Sequence, residues 1–398
     1  MTEPSSGRAP TAGRTAVVRV GQRGDGEQRT PSDADDERRE AAEQSAGGQR
    51  EGATVNRRRV GIKDVAAEAG VSVTTVSHIL NDVDFLRASD ETRERVKDAA
   101  KRLGYGPNRM ARGLRMQRSE MIGLLSEEIA TTPHAGRIIL GAQNAARRHG
   151  LTLVIINTER DDVAANATAL IRQQVDGVLY ATMFHREITP PTELDGIPTV
   201  VIDSTDRTGT HPAVAPDERG GARAAMQELL THGHRRIGFM NNVDDVPATR
   251  ERLAGYRESL QQAGITVDET LVHAAPSESP GGYEAARALL GLPDRPTALF
   301  CYNDRMAMGA YRAAAEMGLR IPQDVSIVGF DNQEIIAEGL FPALTTVALP
   351  HYEMGEWALE RLVQLQGGSP ADDHTADTEP VFLPCPIVRR ESIATPPR

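Results

Sequence analysis

Apolar and polar positions first fall into a helical rhythm at Ile62, Val65, Ala66 and Ala69, which recur at i, i+3, i+4 and i+7 before Gly70. Ser72 is placed to cap a second helix from Val73 to about Leu80. Two short helices joined by a tight turn containing Gly make a helix-turn-helix. A third helix is expected from Ser89 as N-cap, through Val96, Ala100 and Leu103, to a stop at Gly104. In the second helix Val76, Ile79 and Leu80 form one stripe, and Val73, Thr74, Ser77 and His78 form another. The second stripe cannot also be core. Small, methyl-bearing or hydrogen-bonding side chains near a helix N-terminus suit the DNA major groove, where they reach base edges without holding the helix away.

From Met121 the pattern changes to strand-like runs alternating with helices. The runs are Met121 to Leu125, Leu151 to Asn157, Gly177 to Ala181, Thr199 to Asp203, Arg236 to Met240, Thr297 to Tyr302 and Val325 to Phe330. Helical stretches follow, such as His134 to His149, Arg219 to His232, Arg252 to Ala263 and Met306 to Met317. Unbroken apolar strands alternating with helices predict parallel sheets covered on both faces, and two such series predict two lobes. Doubly wound sheets bind ligands beyond the carboxyl ends of their strands. The polar residues closing those strands, Asp203, Asn303 with Asp304, and Asp331 with Asn332, are therefore the candidates for a binding site. Asp304 is read as a structural N-cap.

Charge sharpens the division. The 398 residues carry 45 Lys plus Arg against 56 Asp plus Glu, a net charge of -11, which argues at face value against a nucleic-acid partner. Divided along the chain, residues 1–56 have 8 basic and 10 acidic residues, residues 57–118 have 14 and 8, and the rest have 23 and 38. Only the helix-turn-helix block is basic, the layout expected if that block alone meets phosphate. Residues 1–56, rich in Gly, Ser, Pro and charge, are expected to be a disordered extension. Two cysteines, Cys301 and Cys385, make neither a disulfide framework nor a metal-ligand spacing, and no run of 18 apolar residues or secretory h-region is found. A cytoplasmic protein without a membrane span is expected, with no metal and no cofactor; His232-Gly233-His234 reads as a turn into a strand.

The run from Gly61 through Val65-Ala66 and Val71-Ser72-Val73-Thr74-Thr75-Val76-Ser77-His78 to Asn81 resembles the headpiece of the LacI/GalR family of transcriptional repressors. That resemblance implies that Val73, Thr74 and His78 read bases, with Thr75 and Ser77 on the DNA backbone or in packing. Residues Tyr105 to Arg115 resemble the family's hinge segment, which implies that Leu114 enters the minor groove with Arg115 beside it. Further on, Gly233-His234-Arg235-Arg236-Ile237-Gly238, Arg252-Leu253-Ala254-Gly255-Tyr256 and Pro322 to Asp331 are similar to the family's effector domain. The implied fold is a two-lobed, doubly wound α/β effector domain like the type I periplasmic binding proteins, joined to a small all-α helix-turn-helix domain. The implied effector residues are Asp203, Arg252, Asn303 and Asp331, with His134 at the cleft wall. Ser277 stands where members often have an aromatic residue and Leu349 where some have Gln, departures that tell against a simple hexose.

The expected organisation is an extension over 1–56, a headpiece over 57–105, a hinge over 106–118 and an effector-binding and dimerisation domain over 119–398. The function this implies is a repressor that binds double-stranded, pseudo-palindromic operator DNA as a homodimer, controlled by a sugar-like or nucleoside-like small molecule. The alternative is a solute-binding receptor of the same two-lobed fold, which gives no reason for a basic headpiece. An enzyme is not expected, since the chain has no G-x-S-x-G, phosphate-binding Gly-rich loop or H-E-x-x-H motif.

Overall fold

The computed structural model describes residues 60–80, 88–105, 118–132, 135–159, 162–367 and 378–397. The proposed extension, the hinge residues Leu114 and Arg115, and His134 lie outside the described residues. The chain divides after Tyr105 into two compact units.

The first unit holds α1 (Ile62–Ala69), α2 (Val73–Leu80) and α3 (Asp90–Leu103). Its ends are locally encoded. Gly70 and Gly104 close α1 and α3 with φ of 64° and 63°, the left-handed conformation a side chain would oppose. Ser89 Oγ accepts from Thr92 N, and Ser72 Oγ accepts from Thr75 N at 3.0 Å. Val65, Ala69, Val76, Ile79, Val96 and Ala99 make the core, each 3% exposed or less. Arg95 Nε donates to Ala69 O at 2.9 Å and ties α3 to the end of α1.

The second unit contains two six-stranded sheets. The first is built from β1 (Met121–Glu127), β2 (Thr152–Thr158), β3 (Gly177–Ile188), β4 (Thr199–Asp206) and β5 (Ala213–Pro216), with α4 (Gly136–Arg148) and α5 (Val163–Arg172) between them. The chain then crosses to the second lobe: α6 (Glu218–Thr231), β6 (Ile237–Asn242), α7 (Pro247–Gln262), β7 (Val272–Ala275), α8 (Ser279–Leu290), β8 (Ala298–Cys301), α9 (Asp304–Glu316), β9 (Ser326–Asp331), α10 (Glu334–Ala337) and β10 (Thr345–Ala348). It returns for α11 (His351–Gly367) and β11 (Val381–Leu383), and crosses once more to β12 (Ile387–Val388). The strand orders are β11-β5-β4-β3-β1-β2 and β12-β10-β9-β8-β6-β7. Among the described residues only β12 runs antiparallel, against β10, so the expected parallel sheets carry one reversed edge strand. Each sheet buries apolar residues on both faces, as parallel sheets require: Leu124, Leu179, Val200 and Val201 in the first, Phe239, Leu299, Phe300 and Val328 in the second.

Three local expectations are corrected. The helix expected from Arg252 begins a turn earlier, at Pro247, because proline's fixed φ and missing N–H suit a first helical turn. The cap of α9 is Asn303, whose Oδ1 accepts from Met306 N at 2.8 Å, and not Asp304, which is already helical. Strand β3 continues past Ala181 to Ile188 through an irregularity between Ala181 and Arg186, where Phe184 has φ 66°.

Helices α4 and α11 pack backbone to backbone. A Cβ on Gly355 would lie 2.0 Å from Ile138 O, and one on Gly141 would lie 2.0 Å from Tyr352 O. Gly355→Ala is accordingly expected to force these helices apart and to cost about 1–3 kcal/mol. Thermal unfolding of the variant checks this, and an unchanged melting temperature would refute the close contact.

Candidate functional site

In α2 the partition read from the sequence is present as burial. Val76 and Ile79 are inside, while Val73 and Thr74 are exposed, Val73 by 39%. Thr75 and Ser72 share a hydroxyl contact of 2.8 Å, so Thr75 completes the helix cap. Ser77 and His78 are half-buried on the same side, and His78 Nδ1 is covered without a hydrogen-bond partner. The face therefore presents a methyl-bearing residue, a hydroxyl and an imidazole from the first turn and the turn behind it.

The second constellation lies where strands of the two sheets end. Arg252, 3% exposed, is held on every side. Its Nε donates to Glu218 Oε2 at 2.7 Å, its Nη1 donates to Tyr302 O, and Asp331 Oδ1 lies 3.6 Å from Nη1. Its Cζ sits 3.7 Å from the Phe330 ring centroid and 4.4 Å from that of Tyr302, two cation–π contacts. Burial opposes its charge, but Glu218 and Asp331 more than offset this and hold its pKa above the ordinary value.

Asp203, closing β4, is 7% exposed; its pKa is raised well above the usual carboxylate value by burial first and by Glu218 next, against the pull of Arg252. Asp203, Asp331 and Asn332 have φ of 60°, 102° and 53°, and Phe184 has 66°. Non-glycine residues held in the left-handed region cost about 1–3 kcal/mol each and gather at functional sites. Asn303 spends its amide on the chain, with Oδ1 capping α9 and Nδ2 donating to Ser277 O at 2.9 Å. Asp304 accepts from Thr346 Oγ1 at 2.6 Å and from Gln333 N at 2.7 Å, a structural role; burial and the nearby Asp331 raise its pKa.

Of the residues expected at the site, Arg252 and Asp331 are thus in near contact, Asp203 lies in their electrostatic field, and Asn303 stands beside Tyr302 as a helix cap. Sequence reasoning missed Glu218, the buried counter-ion of Arg252. It also missed Glu127, which closes β1, is 1% exposed and pairs with Arg186 of β3. His185, 7% exposed, and Asn241, 5% exposed at the end of β6, have Nδ1 and Oδ1 respectively buried without a partner. Burial lowers the His185 pKa from its ordinary value. The rule of inspecting the polar residue that closes each strand, applied to β1 as well, finds Glu127; Asn241 stands one position before the end of β6.

A cavity of about 750 Å³ opens beside this cluster. Asp331 lines it, with Leu349, Pro350, Leu383 and Pro384 from the segments that cross between lobes. Arg137 of α4 and Glu334 of α10, also in its lining, join the lobes by an ion pair of 3.0 Å. His234, 1% exposed, bonds to Thr297 Oγ1, Ser326 Oγ and Ala394 O, which accounts for it as the expected turn residue. Among the described residues no group of three His, Cys, Asp or Glu side chains could hold a metal ion, and no helix is long and apolar enough to cross a membrane.

A helix-turn-helix unit followed by a two-lobed α/β unit with a polar cleft defines a DNA-binding regulator with a small-molecule sensor. Comparison with known proteins agrees. Residues 61–108 match the bacterial regulatory proteins of the lacI family, and residues 226–393 match the periplasmic binding protein-like domain. The HTH-type transcriptional regulator RegA of Clostridium saccharobutylicum is 34% identical over 317 residues, covering 78% of this chain and 94% of RegA. The HTH-type transcriptional repressor PurR of Edwardsiella ictaluri is 35% identical over 341 residues, covering 84% of this chain and 97% of PurR. Among solved structures, the complex of the transcriptional regulator CelR with cellobiose is similar with a TM-score of 0.58 and 34% identity, covering 84% of this chain and all of that one. The chain belongs to the lacI family of bacterial transcriptional regulators.

Proposed function

We propose that this regulator binds a pseudo-palindromic operator as a homodimer in the cytoplasm, and that a sugar-like or nucleoside-like effector held between its lobes sets its operator affinity. Val73, Thr74 and His78 read bases; Thr75 and Ser77 support the helix or touch phosphate; Leu114 and Arg115 of the hinge enter the minor groove. Asp203, Arg252, Asn303, Asp331 and His134 are assigned to the effector, with Asn303 contributing only what its cap leaves over. The observation that carries this reading is the buried Arg252–Glu218–Asp331 cluster of the second lobe, with Asp203 of the first lobe in its electrostatic field and Asp331 lining an open cavity. Vicinal hydroxyls match such paired donors and acceptors, and cellobiose in the similar CelR complex is a ligand of that chemistry.

A second copy has a seat on the first lobe, where Ile155 of the edge strand β2 and Leu140 of α4 are 40% and 48% exposed. Effector occupancy would shift the balance between lobe arrangements and, through the hinge, between DNA-competent and incompetent dimers. Selection of bound sequences from a random duplex pool tests the regulator reading. Enrichment of an inverted repeat is expected; a pool in which no sequence is enriched would overturn it.

A further inference from the structure

Away from the cleft, the chain enters the effector unit through a joint built on Asp176, just before β3. Its Oδ1 accepts from Ser119 N at 2.7 Å and from Ser119 Oγ at 2.9 Å, and its Oδ2 accepts from Glu120 N at 2.8 Å. Ser119 Oγ accepts in turn from Met121 N at 3.1 Å, and Asp176 N donates to Met121 O at 2.8 Å. Glu120 is held at φ 57°, a left-handed conformation that a non-glycine residue keeps only where its surroundings over-determine it. Gln366, in the last turn of α11, closes the joint from the other side. Its Nε2 donates to Asp176 O at 3.0 Å, and its own carbonyl accepts from Arg118 Nη2 at 2.9 Å. Both supports are rigid, since Leu359 and Leu362 of α11 and Val178 and Leu179 of β3 are fully buried.

Starting β3 requires only main-chain pairing, such as that of Gly177 with Ile122 of β1. The three hydrogen bonds of the Asp176 carboxylate go instead to residues 119 and 120, the first after the hinge, and they fix the direction in which the chain leaves the effector unit. Half-site spacing on DNA mirrors the placement of the two reading helices of a dimer. Backbone order already present need not be created on DNA, where creating it for one residue would weaken binding about 5- to 30-fold. We infer that Asp176 is a positioning residue for operator recognition: with Gln366 and Arg118 it fixes the root of each hinge and so sets the half-site spacing the dimer accepts. It acts through Ser119 and Glu120 and need touch no DNA. The inference rests on the proposed homodimer on a pseudo-palindrome and supplies the joint that sets its geometry.

Anisotropy of the full chain on the selected operator, and on the same duplex with one base pair inserted between its half-sites, tests this. The wild type is expected to bind about 30-fold or more weakly after the insertion. Asp176→Asn, which sets an amide N–H against the Ser119 and Glu120 donors, is expected to bind the operator about tenfold more weakly and to lose only about tenfold or less on the insertion. Arg118→Ala removes an exposed side chain and is expected to move both values the same way, by about threefold. Thermal unfolding shows whether each variant is folded. An undiminished insertion penalty in folded Asp176→Asn, or in Arg118→Ala should Asp176→Asn not fold, overturns the inference and leaves the operator reading intact, as does a wild type indifferent to the insertion. A change in Asp176→Asn with none in Arg118→Ala removes Arg118 from the joint. Failure of the wild type to bind any selected duplex overturns the operator reading itself.

Discussion

Arg252→Ala is expected to abolish the effector response and to destabilise the effector unit by about 3–5 kcal/mol, the range for breaking a buried ion pair by removing one partner. Read from the sequence, Arg252 looks like a ligand contact whose loss would spare the fold. Its surroundings say otherwise. Arg252 and Glu218 side chains are 4% and 2% exposed, so truncation strands a buried carboxylate 2.7 Å from where its counter-ion stood. Asp203 and Asp331 lose the same cation, and the Tyr302 carbonyl and the rings of Phe330 and Tyr302 lose their packing partner. Arg252→Met with Glu218→Gln removes both charges at similar volume and should recover much of the stability while leaving the response absent. Thermal unfolding separates the two contributions. Wild-type stability in Arg252→Ala would contradict the buried pair, and a normal effector response in the double variant would contradict the site.

Replacing Thr74 and His78 together by Ala is expected to lower specific operator affinity by about 100-fold or more, since each good base contact carries about 1–3 kcal/mol. The fold should not suffer, because the headpiece core is Val65, Ala69, Val76, Ile79, Val96 and Ala99, and neither substituted residue belongs to it. Alanine also keeps the helix. Non-specific binding, which is set by phosphate contacts, should change little, and so should its dependence on salt. Fluorescence anisotropy on a selected operator and on a scrambled duplex measures both. A parallel loss on the two duplexes would show that these side chains hold the backbone and do not read sequence.

What the chain declared in advance was local. Ser72, Ser89, Gly70 and Gly104 fix the headpiece helices by contacts within a few residues, so propensity and spacing place them within a residue of their observed ends. The inner strands are continuous apolar runs, legible for the same reason. The irregular continuation of β3 was not legible, since Thr182, His185 and Arg186 interrupt the apolar run, Phe184 takes φ 66°, and the strand resumes by pairing Arg186 to Ile188 with Ser204 to Asp206 of β4. The cleft was half legible. Asp203 and Asp331 announce themselves as polar strand ends, but Glu218 looks like an ordinary acid in the first turn of α6, and nothing local joins it to Arg252, 34 positions away. Asn303 and Asp304 were separable only through three-dimensional partners: the first turn of α9 for one, Thr346 and the Gln333 N–H for the other.

The central claim is that occupancy of the cleft and affinity for operator are coupled. It is tested most directly by measuring operator affinity by anisotropy with and without a saturating ligand that binds the wild type but not the Arg252→Met, Glu218→Gln variant. A change of about 5- to 150-fold is predicted in the wild type, matched by the same factor in ligand affinity when operator is present, as linkage requires. Identical operator affinity with the cleft empty and filled would contradict the account.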